Sequence, residues 1–250
     1  MIKSKKLNKH HIINHAFFNK NNGFSKGIYK SLNCGKGSQD NKEIIKKNLR
    51  YVANKISKRK NNIVLLHQIH SSKFLFIKKF PKKKIIGDAL ITNVKNLPIG
   101  ILTADCAPVL ILDAKEKMIA AVHAGWKGAY KNIVIKVIKK LVKLGSKKKN
   151  IIVAIGPCIG LNNYEVKKEF KDKFLRKNKK NSIFFAIKKK RIFFNLTKFI
   201  HSQLISFGIL KIDVINKNTF NEKNNFFSAR RSIKKNEPDY GRNISVIMLK

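Results

Sequence analysis

Cysteine is scarce in this chain of 250 residues: Cys34, Cys106 and Cys158 are the only three. An odd number at spacings that match no disulfide framework excludes a small disulfide scaffold and points to a reducing cytoplasm. Acidic residues are also few, 13 Asp+Glu against 56 Lys+Arg, which leaves a formal net charge of +43. Such an excess ordinarily marks a nucleic-acid or anionic-membrane partner. Here nearly all of it is lysine spread along the whole chain, whereas reading phosphates and bases favours arginine's planar fork on one local face. The charge is therefore read as a solvated surface, and no specific nucleic acid is expected as a partner. No uninterrupted apolar run approaches the roughly 18 residues that span a bilayer, so no membrane association is expected. The basic N-terminus, Met1-Ile-Lys-Ser-Lys-Lys-Leu, is not followed by the apolar segment of a signal peptide, and export is not expected. Repeats and linkers are missing too. With 43% hydrophobic content the chain can bury a large core, and one domain over residues 1–250 is expected.

Several metal signatures are absent as well. There is no Cys-x-x-Cys, no His-Glu-x-x-His, and no His-x-His among the 7 histidines. A multicopper oxidase needs many imidazoles together with a His-and-Cys blue-copper site, so that class is rejected. The His-x-Glu and Pro-Cys-x-x-Cys pair of zinc nucleobase deaminases is also missing, and any deamination here must use another site design.

What is present centres on two apolar, β-branched runs, from Ile101 to Asp113 and from Met118 to Ala124, which read as strands. Each delivers a reactive side chain at or near its end, Cys106 and His123, and Gly125 and Gly128 then flank the single tryptophan, Trp126. Apolar spacing predicts helices over Asp40 to Ile56, Ile133 to Leu144, Tyr164 to Leu175 and Asn195 to Phe207, with Gly145 and Gly208 as stops. Strands are predicted at Asn62–Leu66, Lys73–Ile77, Ala89–Thr92, Asn150–Ile155, Lys211–Ile215 and Ile244–Leu249, and loops at Phe17–Ser25 and Ser31–Gly35. This alternation predicts a mixed α/β layered fold.

His70, Cys106 and His123 each follow a strand-like run, and one thiolate with two imidazoles suits Zn²⁺ while leaving a fourth position open. Two other readings use the same residues. Cys106 is a buried small hydrophobe beside two satisfied histidines, or it is the nucleophile of a metal-free hydrolase or amidase with His123 or His70 as its base. Asp105 reads as an orienting group or a turn former, Arg230 and Arg231 as a phosphate clamp or a surface pair, and Cys158 as packing. Trp126 reads as structural or as the wall of a base pocket. His10, His11, His15 and His201 are expected to be ordinary surface or helix residues.

The segments His67-Gln-Ile-His70, Gly87-Asp-Ala-Leu-Ile-Thr92, Thr103-Ala-Asp-Cys-Ala-Pro108, Val122-His-Ala-Gly-Trp-Lys-Gly128, Ile155-Gly-Pro-Cys-Ile-Gly160 and Phe226-Phe-Ser-Ala-Arg-Arg231, in this order, resemble the purine nucleoside phosphorylase family long called polyphenol oxidases or laccase-domain proteins. The resemblance runs from about Phe17 to Leu249. It implies an α-β-β-α sandwich of two helix-covered sheets and Zn²⁺ held by His70, Cys106 and His123. It also implies phosphorolysis of adenosine, inosine, guanosine and methylthioadenosine, accompanied by adenosine deamination. Lys20 stands where the family usually has an arginine, in a loop associated with anion binding. Asn195 replaces an aspartate, Asn218 a cysteine and Ser232 an aspartate. These departures bear on substrate preference and rate. The expected catalytic set is His70, Cys106 and His123, and the expected substrate-binding set is Lys20, Arg230 and Arg231.

Overall fold

The structure, a computed structural model, describes residues 1–57 and 62–250. Ser4 opens a single-turn helix, α1 (Lys5–Asn8), by accepting from Leu7 N, and strand β1 (Ile13–Phe17) follows. Asn41 caps α2 (Lys42–Ile56), accepting from Glu43 N and Ile44 N. Five strands come next: β2 (Phe74–Phe76), β3 (Ala89–Thr92), β4 (Ile99–Thr103), β5 (Ala107–Asp113) and β6 (Met118–Ala124). A short helix α3 (Trp126–Tyr130) leads into α4 (Ile133–Lys143), which stops before Gly145 at φ +106, where a side chain would be strained. The remainder comprises β7 (Ile151–Ile155), β8 (Glu165–Val166), α5 (Lys168–Lys177), β9 (Phe185–Lys188), β10 (Arg191–Phe194), α6 (Leu196–Ser206), β11 (Lys211–Val214), α7 (Ala229–Lys234) and β12 (Asn243–Leu249).

The central sheet has six strands in the order β11-β7-β5-β6-β3-β2, antiparallel in the middle and parallel at both edge pairs. A second sheet, β1-β12-β4, is antiparallel throughout. Alternate side chains of β5 explain the layering. Leu110 and Leu112 face Phe17, Ile99, Ile101 and Ile247 of the smaller sheet, whereas Val109 and Ile111 face α4 and α6 through Val134, Ile138 and Ile200. A strand covered on both faces is apolar at every position, which is why β5 reads as an unbroken hydrophobic run. On the outer face of the smaller sheet, Val52 and Ile56 of α2 pack on Ala16, Ile244 and Val246. The layers are thus α-β-β-α. Beyond the two expected sheets lies a third, β8-β10-β9, whose Phe185 and Phe194 join Phe170, Phe174 and Phe199 in one aromatic cluster.

Four expectations change. The run Ile101 to Asp113 is two strands in different sheets, because the backbone turns at Asp105 with φ +85. The helix expected from Tyr164 begins at Lys168, since Glu165 and Val166 pair with β10. Asn62–Leu66 makes only a single bridge, Val64 to Ile99. His15 is not a surface residue: it is 2% exposed in β1, and its Nε2 accepts the Ser4 N–H at 3.0 Å. Among the described residues no helix is long and apolar enough to cross a membrane.

Burial, with Lys3 nearby, pulls the His15 pKa from 6.5 down to about 4. The unfolded chain therefore takes up this proton more readily, and the stability this neutral histidine contributes is complete above pH 6.5 and lost as pH falls toward 4. In urea titrations, wild type is expected to lose more stability than His15→Gln across that window, because Gln keeps an acceptor that does not titrate. Equal pH slopes for the two proteins would refute this.

Candidate metal centre

Three separate pieces of backbone converge at one end of the central sheet. Cys106 sits in the turn between β4 and β5, and His123 is the penultimate residue of β6, facing Pro108 across the ladder. His70 comes from the irregular segment that precedes β2. Gln68 anchors that segment by a two-way pairing with Leu102: its Nε2 donates to the carbonyl and its Oε1 accepts from the amide, both at 2.7 Å. His70 itself has φ +55, a conformation uncommon for a side-chain-bearing residue and held by its surroundings.

The metal-binding atoms of His70, Cys106 and His123 lie within 4.8 Å of one another. The imidazoles meet edge to face with centroids 4.7 Å apart. Gly125 is part of the geometry, because a Cβ there would come within 2.8 Å of Cys106 Sγ and 3.2 Å of His70 Cδ2. The donor set fits one metal ion and the space beside it is left open by a glycine.

Without a metal, Cys106 and His123 stabilise each other's charged forms. Burial pushes the Cys106 thiol up, but His123 and then His70 outweigh that, and the pKa falls to about 7, which favours the metal-binding thiolate. Burial pulls His123 down, but Cys106 and Asp88 outweigh it and raise its pKa to about 9.

Asp88, present in the sequence only as part of the segment Gly87-Asp-Ala-Leu-Ile-Thr92, is the residue whose role sequence reasoning missed. It is fully buried. Its Oδ1 contacts His123 Nδ1 at 2.8 Å and accepts the amides of Ile69 and His70, while Oδ2 accepts both the amide and the hydroxyl of Ser71 at 2.6 Å. One carboxylate thus fixes the ring of one histidine and the backbone that carries the other. With a proton on Nδ1 for Asp88, the Nε2 lone pair of His123 faces Cys106 and is available to a metal, the arrangement of outer hydrogen-bond partners common in metal sites. Asp105 proves to be a turn former. It is buried, and it accepts from Thr219 Oγ1 (2.6 Å), Ser228 Oγ (2.9 Å) and Arg230 N (2.7 Å), pinning the turn that presents Cys106 to the start of α7.

His70, Cys106 and His123 share a cavity of about 700 Å³ with the apolar side chains of Ile63, Leu65 and Leu102, with Tyr240, and with Lys36, Lys82, Lys83, Lys84 and Arg242. The structure does not bring Lys20, Arg230 or Arg231 to this cavity wall. Arg231 gives Nη1 to the carbonyls of Thr219 and Phe220 and Nη2 to that of Phe226, and its Nε lies 3.6 Å from Glu222. Its fork is spent on holding the 219–226 loop. Arg230 donates to the Glu165 carbonyl and lies over the Tyr164 ring. Lys20 lies near Arg231 and Glu222; burial first, then Arg231, lowers its pKa. Trp126 packs edge-on against Phe170 and does not line the cavity. Cys158 is buried, its thiol pushed up to about 12 by burial, and it contacts Thr197 Oγ1 at 3.0 Å.

These features define a layered α/β protein with a one-thiolate, two-imidazole centre of metal-binding type at the end of its main sheet. The chain belongs to the multi-copper polyphenol oxidoreductase laccase family, which matches residues 14–250. It is similar to a purine nucleoside phosphorylase of Rickettsia conorii, 35% identical over 192 residues, covering 76% of this chain and 79% of that one. It is also similar to a purine nucleoside phosphorylase of Haemophilus influenzae, 33% identical over 221 residues with 87% and 88% covered. Among solved structures, a Bacillus licheniformis hypothetical protein superposes with a TM-score of 0.85 at 28% identity, covering 95% of this chain and 93% of that one. A Neisseria meningitidis protein gives the same TM-score at 25% identity, with 96% of both chains covered.

Proposed function

We propose that this protein is a zinc-dependent purine nucleoside phosphorylase that cleaves adenosine, inosine, guanosine and methylthioadenosine with phosphate, and that it also deaminates adenosine. The observation that carries this reading is the convergence of His70, Cys106 and His123 in one cavity with apolar and cationic walls. The relatives named purine nucleoside phosphorylase support the choice of substrate. His70, Cys106 and His123 would hold the ion. When bound, Zn²⁺ would supply a Lewis acid and would lower the pKa of nearby water toward about 7. Asp88 keeps the His123 proton on Nδ1. The apolar wall formed by Ile63, Leu65 and Leu102 excludes water from the purine and ribose, and the cationic wall lowers the cost of holding a phosphate dianion against the cation-like sugar of the transition state.

Elemental analysis is expected to find about one Zn²⁺ per chain. Incubation of inosine or adenosine with phosphate is expected to release hypoxanthine or adenine together with ribose 1-phosphate, at a rate set by added phosphate, and adenosine is expected to yield some inosine. No base released from any purine nucleoside by a zinc-loaded sample would end the phosphorylase reading. A second reading, a metal-free thiol hydrolase or amidase, is favoured by one observation. Cys106, His123 and Asp88 form a relay in which the thiol pKa is about 7 and the imidazole pKa about 9. Such an enzyme would ignore phosphate and survive chelation.

A further inference from the structure

Two short segments of the cationic wall, residues 33–37 and 239–242, are joined to each other by buried hydrogen bonds. Asn33 is fully buried, and its Oδ1 accepts both Gly35 N and Arg242 N at 2.9 Å, while its Nδ2 donates to Ser38 and Asp40. The amide of Cys34 returns a bond to the Arg242 carbonyl at 3.2 Å. A Cβ at Gly35 would lie 2.6 Å from Arg242 Cδ, so the glycine makes room for the arginine stem. The guanidinium sits over the Tyr240 ring at 4.6 Å, gives Nη1 to the Tyr240 carbonyl, and lies 3.7 Å from Asp239. Its Nε and Nη2 meet no acceptor among the described residues, unlike the spent fork of Arg231. Lys36 comes from the same buried-asparagine loop, and Lys82, Lys83 and Lys84 complete a lining that contains no acidic residue.

We propose that Arg242, with Lys36, forms a phosphate-dianion subsite in the metal-centre cavity, whose lining also includes Lys82, Lys83 and Lys84. The fixed, half-satisfied fork of Arg242 offers the two-point geometry that a phosphate accepts and a lysine cannot supply. Why phosphate enters this cavity rests on the phosphorylase reading; the assignment of residues rests on the geometry alone. The phosphate is either the free inorganic ion or an ester carried by the nucleoside, and two ligands separate these sources.

The test is calorimetric binding of inorganic phosphate and, separately, of adenosine 5′-monophosphate to the zinc-loaded protein, comparing wild type with Arg242→Gln, Arg242→Lys, Lys36→Gln and Lys20→Gln. Arg242→Gln is expected to weaken binding roughly 10- to 100-fold, the worth of a hydrogen-bonded charge, with Arg242→Lys recovering part of it. Loss confined to inorganic phosphate identifies the free ion as occupant, and loss confined to the monophosphate identifies the ester; either supports the subsite. Unchanged affinity in both Arg242→Gln and Lys36→Gln, no phosphate binding by wild type, or a loss found in Lys20→Gln instead would overturn it. Binding is read without turnover. A protein that binds phosphate through Arg242 yet releases no base would sink the phosphorylase reading alone. A working phosphorylase whose KM for phosphate is indifferent to Arg242→Gln would sink the subsite alone.

Discussion

Cys106→Ala is expected to strip the protein of most of its metal and to reduce phosphate-dependent base release together with it. Removing an outer hydrogen-bond partner of a metal ligand costs roughly 10- to 100-fold in affinity or activity, and loss of one of only three protein ligands should exceed that. His123→Ala is expected to behave alike, since both residues point at the same 4.8 Å cluster. Cys158→Ala serves as the comparison, because that thiol is buried against Thr197 and is no part of the cluster. Metal content by elemental analysis and base release by chromatography read the two effects separately. If Cys106→Ala kept full metal and full turnover, the centre would lie elsewhere.

The second large effect is expected at Asp88. Asp88→Ala leaves five donors without their acceptor: the amides of Ile69, His70 and Ser71, the Ser71 hydroxyl and His123 Nδ1. Breaking a buried charged network from one side costs about 3–5 kcal/mol, so a sizeable fall in the denaturant midpoint is expected alongside weaker metal binding. Asp88→Asn keeps the shape and one acceptor but turns an amide N–H toward backbone donors, and it should fall between the two. Burial works against the Asp88 charge, but the bonds from His123 and Ser71 outweigh it and draw the pKa from 3.8 to about 2. The sign follows: the stability supplied by this carboxylate is complete above pH 3.8 and is lost as pH falls toward 2. Metal-free wild type should therefore lose stability over that interval more steeply than Asp88→Ala. Wild-type metal affinity in Asp88→Ala would show that the histidines hold their positions without it.

Much of the architecture was legible in the residues because burial leaves a periodic trace. Ile133, Val134, Val137, Ile138 and Leu141 recur at helical spacing since one stripe of α4 faces the central sheet, and all five are buried. β5 and β6 read as unbroken apolar runs since they are covered on both faces. His70, Cys106 and His123, which the fold brings within 4.8 Å of one another, were candidates in the chain alone because few residues can ligate and each follows a strand-like run. By itself the sequence determined the layer type and which side chains are chemically capable. Tertiary structure decided the rest. It broke the run from Ile101 to Asp113 at Asp105, whose φ is held by Thr219 and Ser228, more than a hundred residues away. It made Asp88 the partner of His123, and it put Arg242 on the cavity wall while the fork of Arg231 holds the 219–226 loop. The physical reason is common to all three. Hydrophobic burial is averaged along a strand or helix and so writes a period into the sequence, whereas a hydrogen-bond acceptor or a spent guanidinium is fixed by single atoms that only the folded chain brings within 3 Å.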